Sequence, residues 1–189
     1  MAEDIQINSP LRYNTEDFKY SVKPDVFAGR VSMSVFENAA KSGPIIKCLF
    51  TPQSATQFKI ILKKILSDPE SHPIELGFWP WNKDMKQNEF RSSIKVGRDQ
   101  EKAIYLEFAG DKHKDPIRFY VTSDTGIRIN SMVLPKQSLT ETGCQALIEL
   151  VTSLMNAALY SPSNRQGGNG NFTAAQEPTT PGINDDIGF

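Results

Sequence analysis

The stretch Ile45-Ile-Lys-Cys-Leu-Phe50-Thr51-Pro52-Gln-Ser-Ala-Thr-Gln-Phe58-Lys-Ile-Ile61-Leu62-Lys-Lys-Ile65 changes its periodicity once, and that change decides the fold. Residues 45–50 form a short apolar run of strand length, and Phe58, Ile61, Leu62 and Ile65 then recur at helical spacing. Between them Thr51 is a natural N-cap, and Pro52 sits where a helix has no use for its missing N–H. Asp68-Pro69 stops the helix.

Working outward, the segment before this switch reads as strands. Residues 18–23 alternate, and in Arg30-Val-Ser-Met-Ser-Val-Phe36 the residues Val31, Met33 and Val35 share one face. Beyond the helix, strands are predicted over 74–78, 91–98, 102–108, 117–122 and 126–134. A second helix is predicted from Ser138, with Ser138 and Glu141 as a capping box. Cys144, Leu147, Ile148, Val151, Leu154, Met155 and Ala158 make its apolar stripe, which ends near Tyr160. The order is strands, helix, strands, helix, an internal duplication in outline. The expectation is a β-rich α+β fold with curved antiparallel sheets, and an elaborated OB-fold barrel is the alternative.

The chain of 189 residues divides by composition. Residues 1–160 are expected to form the folded domain. Residues 161–183 are rich in Ser, Pro, Asn, Gln, Gly and Thr and read as a disordered linker, and 184–189 form an acidic tip. Net charge is −1, from 21 basic and 22 acidic residues. From 161 onward there is one basic residue, Arg165, and three acidic ones, Glu177, Asp185 and Asp186, which leaves 20 against 19 in the body. The body at +1 is not strongly basic, so polyanion binding would have to come from local arrangement. No apolar run is long enough to span a membrane, and the acidic start, Met1-Ala2-Glu3-Asp4, is unlike a secretory signal, so a cytoplasmic protein without membrane partners is expected. Cys48 and Cys144 lie in apolar patterns and read as reduced core residues.

Parity sorts the later strands into two faces. Ile94, Val96, Ile104, Leu106, Phe108, Ile117, Phe119, Val121, Ile127 and Ile129 turn inward. If the strands pair, the opposite face collects Arg91, Lys95, Tyr105, Arg118, Tyr120 and Arg128, with Glu107 among them. Flat rings interleaved with cations suit unpaired bases and their phosphates, at roughly 1–3 kcal/mol per stacked base. Trp79, Trp81 and Lys83 follow the first of these strands and extend the set. Solubility alone also favours Arg and Tyr on a sheet's outer face, so these residues are candidates and not a signature.

No catalytic pattern is present. The chain has no phosphate loop, no nucleophile elbow and no zinc-spaced cysteine pair. His72 and His113 are isolated, and Asp111 and Asp115, flanked by Lys112 and Lys114, read as a charged turn. Neither an enzyme, a metal nor a cofactor is expected.

The terminus, Asn184-Asp185-Asp186-Ile187-Gly188-Phe189, offers two carboxylates, a branched apolar side chain and a final ring beside the α-carboxylate. Such an end suits capture in an apolar pocket with a basic rim. It resembles the tip of bacterial and phage single-stranded-DNA-binding proteins, which end Asp-Asp-Ile-Pro-Phe after a similar linker. Gly188 stands in place of Pro and leaves the end less pre-organised. The resemblance covers about the last thirty residues. It implies a protein that coats single-stranded DNA, or alternatively RNA, in replication, recombination and repair. Asp185, Asp186, Ile187 and Phe189 would recruit partner proteins, and a homo-oligomer and a phage source, hence a host cytoplasm, are compatible with it. The strand and helix order is similar to Whirly or PUR-type domains. An alternative reading is an adaptor that mimics such a tip and binds protein with its body.

Overall fold

A computed structural model describes residues 11–40, 43–122, 128–129 and 131–160. The proposed linker 161–183 and tip 184–189 lie outside the described residues. The chain builds two four-stranded antiparallel sheets, each followed by a helix. The first sheet runs β1 (Tyr13–Asn14), β2 (Tyr20–Phe27), β3 (Arg30–Glu37) and β4 (Ile46–Phe50), in chain order, and α1 (Pro52–Ser67) follows. The second contains β5 (Ile74–Phe78), β8 (Ser92–Arg98), β9 (Ile104–Gly110) and β10 (His113–Tyr120), in the order β10-β9-β8-β5. One small hairpin, β6 (Trp81–Asn82) with β7 (Gln87–Asn88), interrupts it between β5 and β8, and another, β11 (Arg128–Ile129) with β12 (Met132–Val133), follows β10. The helix α2 (Lys136–Tyr160) completes the described chain. This is the α+β, strands-helix-strands-helix order expected. The OB-barrel alternative does not hold, because the strands form two separate open sheets and no described strand closes either of them.

The strand-to-helix switch behaves as its residues dictate. Ile46, Cys48 and Phe50 are buried, and the Thr51 hydroxyl then accepts the Ser54 N–H at 3.2 Å. Ala55, Phe58, Leu62 and Ile65 form the buried stripe of α1, and the backbone turns extended at Asp68. In β3, Val31, Met33 and Val35 enter the core, but Ser32 and Ser34 are buried too, so this strand is covered on both faces. The β2 strand begins two residues later than its alternation suggests and runs on through Pro24 to Phe27.

One apolar core unites both sheets and both helices. Met33 and Phe50 from the first sheet, Ile94, Phe108 and Phe119 from the second, Phe58 and Leu62 from α1 and Leu147 and Val151 from α2 belong to it. The rings of Phe50 and Phe58 lie 5.3 Å apart, those of Phe50 and Phe78 5.0 Å, and those of Phe108 and Phe119 5.6 Å. Cys48 and Cys144 are free and buried, and burial pushes each thiol up to about 12.

Two expectations are corrected. The second helix starts at Lys136, just after Pro135, so Ser138 lies inside it and its carbonyl accepts the Thr142 hydroxyl. Glu141 closes no capping box there; its carboxylate takes Arg98 at 2.8 Å and Gln137 at 3.1 Å. The described residues of the predicted strand 126–134 do not continue the sheet: Ser131 has a φ of 67°, and Arg128–Ile129 pair with Met132–Val133. No helix among the described residues is long and apolar enough to cross a membrane.

Candidate nucleic-acid interface

The outer face of the second sheet is organised in rows, because directly opposed residues of antiparallel strands point the same way. The central row crosses all four strands in register as Glu75, Lys95, Glu107 and Arg118. Its charges alternate in sign. Glu107 receives Lys95 at 2.8 Å through one oxygen and Arg118 at 2.7 Å through the other. Burial pushes the Glu107 carboxyl up, but the hydrogen bonds from Lys95 and Arg118 outweigh it and hold the group below its ordinary value. Burial opposes the charge of Arg118 as well, and Glu107 again outweighs it; the hydrogen bond to Glu107 also raises Lys95.

On one side of that row lie Gly97, Tyr105 and Tyr120. A Cβ on Gly97 would sit 2.7 Å from the Tyr105 hydroxyl, so the glycine is what lets the phenol ring lie against the sheet. The Arg118 guanidinium covers the ring at 4.0 Å from its centre. Tyr105 is therefore on the predicted face but only 5% exposed, and is not an open stacking platform. Tyr120 is half-buried, and the Lys136 ammonium lies 3.3 Å from its ring centre.

On the other side lie Gly77, Ser93 and Ala109, a strip of small side chains. The Trp79 indole Nε1 stands 2.9 Å from where a Gly77 Cβ would be, so the indole lies on this same face, with its ring edge-on to Phe90 at 5.3 Å. Trp79 is 58% exposed, and Trp81, on the β6–β7 hairpin, is 62% exposed. Lys83 and Met85 are exposed at the same hairpin. Counting strand rise, Gly77, against which the Trp79 indole lies, is about 7 Å along the face from the charged row, and Tyr120 is about 7 Å from it on the other side.

The sequence-predicted set is thus brought together in part. Lys95, Tyr105, Arg118 and Tyr120 share the face, Trp79 ends it, and Trp81 and Lys83 stand on the adjoining hairpin. Arg91 precedes β8 and pairs with Asp111 at 2.9 Å. Arg128 is exposed but not on this sheet, since β11 pairs with β12 and not with β10. Asp185, Asp186, Ile187 and Phe189 lie outside the described residues. Parity alone did not reveal Arg12, Lys136 and Phe18, which adjoin Tyr120 in a cleft at the edge of the sheet. The described residues hold no group of three or more His, Cys, Asp or Glu suited to a metal.

No protein-family model matches the sequence, and no curated protein is similar to it in sequence. Two solved structures superpose on the chain. The Trypanosoma bruciei MRP1/MRP2 structure does so over 82% of this chain and 88% of its own, with a TM-score of 0.46 and 6% identity. The plant transcriptional regulator PBF-2 does so over 84% of this chain and 88% of its own, with a TM-score of 0.40 and 10% identity.

Proposed function

We propose that this protein binds single-stranded nucleic acid, DNA in the first place, without catalysing a reaction on it. Two indoles that could have been buried instead stand exposed where the sheet face meets the β6–β7 hairpin, and this observation carries the reading. Trp79, Trp81 and the exposed Met85 together form an apolar patch rimmed by polar residues, the kind of surface that marks an interaction site. Bases stack on Trp79 and Trp81, while Lys83, and Arg118 and Lys95 in so far as Glu107 releases them, meet the phosphates. The tip residues Asp185, Asp186, Ile187 and Phe189 recruit proteins of replication, recombination and repair.

Fluorescence anisotropy of a labelled oligo-dT with the full chain, titrated with salt, tests the reading. Submicromolar binding in dilute buffer that weakens with added salt is expected. Binding that is absent in dilute buffer, or indifferent to salt, overturns it. Trp79→Ala weakens binding by the stacking of one base. Deleting 184–189 leaves binding intact or tighter and abolishes partner recruitment. A second reading, an adaptor whose body binds protein, draws on the apolar character of Trp79, Trp81 and Met85 together with the neutrality of the charged row. That reading expects the same indole substitution to abolish a protein complex and leave oligo-dT unaffected.

A further inference from the structure

Phe18 is the most anomalous side chain of the described chain. Its φ is 56°, in the left-handed region that a bulky residue rarely adopts, and its ring is 70% exposed. Such a conformation costs on the order of 1–3 kcal/mol and persists only where the surroundings enforce it. They do so here. The Phe18 N–H donates to the Thr15 carbonyl at 2.9 Å, Asp17 accepts the Lys19 N–H at 3.0 Å, and the Asn38 amide donates to the Phe18 carbonyl at 2.6 Å. The turn therefore holds an aromatic ring out in water at a conformational cost, and the ring stabilises no core.

The ring borders a cleft of about 430 Å³ lined also by Arg12, Tyr120, Lys136 and Leu139, a volume within the range of small-ligand sites. Arg12 is fixed there by two neutral acceptors, the Ser21 hydroxyl and the Asn38 side-chain oxygen, each at 2.8 Å, so its charge is positioned but not cancelled. Lys136 is paired with Glu16 at 2.8 Å, which also borders the cleft. Tyr120 belongs at once to this cleft and to the outer face of the second sheet, so the two are continuous.

We propose that Phe18, at the rim of the cleft it shares with Tyr120, is a second stacking site, in which an unpaired base of a single DNA strand lies against the Phe18 ring while its phosphate meets Arg12. The strand would then leave the sheet face at Tyr120 and cross toward the first sheet. This deepens the single-strand reading above and rests on it. What favours a nucleic-acid strand over a protein partner is the continuity of the cleft with the sheet face through Tyr120 and the fixed, unneutralised charge of Arg12 beside the ring.

The test uses the full chain, labelled oligo-dT and the variants Phe18→Gly and Phe18→Asn. Both replacements accept the left-handed backbone, so each should fold with a thermal midpoint equal to or above that of the native protein. Both should bind oligo-dT roughly 5- to 150-fold more weakly, the loss of one stacked base, with an unchanged salt slope because no charge is removed. Phe18→Trp should keep native affinity. Arg12→Gln should flatten the salt slope by about 0.7, one phosphate's worth on a single strand. If native protein binds and both Phe18 variants bind equally well, the second site is wrong and the wider reading stands. Variants that bind DNA normally but lose self-association likewise overturn it and assign Phe18 to a protein contact. If native protein ignores oligo-dT, both readings fall.

Discussion

Glu107 is the residue on which the character of the sheet face depends. It sits between Lys95 and Arg118 with little of its side chain exposed, and it cancels the charge of both. Glu107→Gln keeps the shape and frees two cations. Oligo-dT binding should tighten and its salt slope steepen by about 0.7 to 1.4, one or two further phosphates. Stability should move the opposite way, with a definite pH signature. Because the folded carboxyl titrates below its ordinary value of 4.5, its contribution is fully present above that pH and is lost as pH falls through the lowered value. The stability gap between native protein and variant should therefore stay level from neutrality to about pH 4.5 and close below it. A gap that stays level well below pH 4.5 would show that Glu107 is not the group holding the row. Tyr13 supplies a second test at this scale. Among the described residues its buried hydroxyl meets no hydrogen-bond partner, and burial raises its pKa well above the ordinary tyrosine value. Tyr13→Phe removes that unmet polar group and should stabilise the protein by about 1 kcal/mol in denaturant melts.

At the scale of elements, α1 was legible because its signals are local. Thr51, Pro52, the stripe and Asp68 all lie within the helix or beside it. The second helix was legible in its stripe but not at its start. Ser138 and Glu141 satisfy the spacing of a capping box, yet Glu141 is drawn to Arg98, whose side chain is only 3% exposed and also binds the carbonyls of Ile65 and Leu66 at the end of α1. That partner is 43 positions away in sequence and leaves no local trace. Likewise, parity placed Tyr105 on the correct face but could not say that Arg118 covers it, and the pairing of β5 with β8 across an intervening hairpin hid only that Glu75 joins the row of Lys95, Glu107 and Arg118. The strain at Phe18 has no sequence signal beyond an aromatic between polar residues. Gly143 marks how tightly the elements meet. A Cβ there would collide with the carbonyl oxygen of Val121, the residue just after β10, so α2 rests directly on the backbone at the end of that strand. Gly143→Ala should destabilise by about 1–3 kcal/mol despite its better helix propensity. A neutral result in thermal melts would mean that α2 lies farther from the sheet.

At the scale of the whole molecule, the question is how a protein with net charge −1 holds a polyanion. Bulk attraction is absent, so affinity must come chiefly from stacking and from a few placed cations. Lys95, Arg118, Arg91 and Lys136 all have carboxylate partners. Among the described residues on the candidate path, Arg12 and Lys83 are without a carboxylate partner. Two phosphate contacts on a single strand imply a slope of log affinity against log salt of about −1.4. Such a protein would bind more weakly than a basic groove in dilute buffer, yet lose little as salt rises to physiological levels. The anisotropy titration measures this slope directly. A value near about −1.4, with most of the affinity removed by Trp79→Ala and Phe18→Gly together, fits a stacking-led grip. A slope of about −2.8 would require the Lys95–Glu107–Arg118 row to open and surrender its two cations to the phosphates, and Glu107→Gln would then leave the slope unchanged because those charges were already in use.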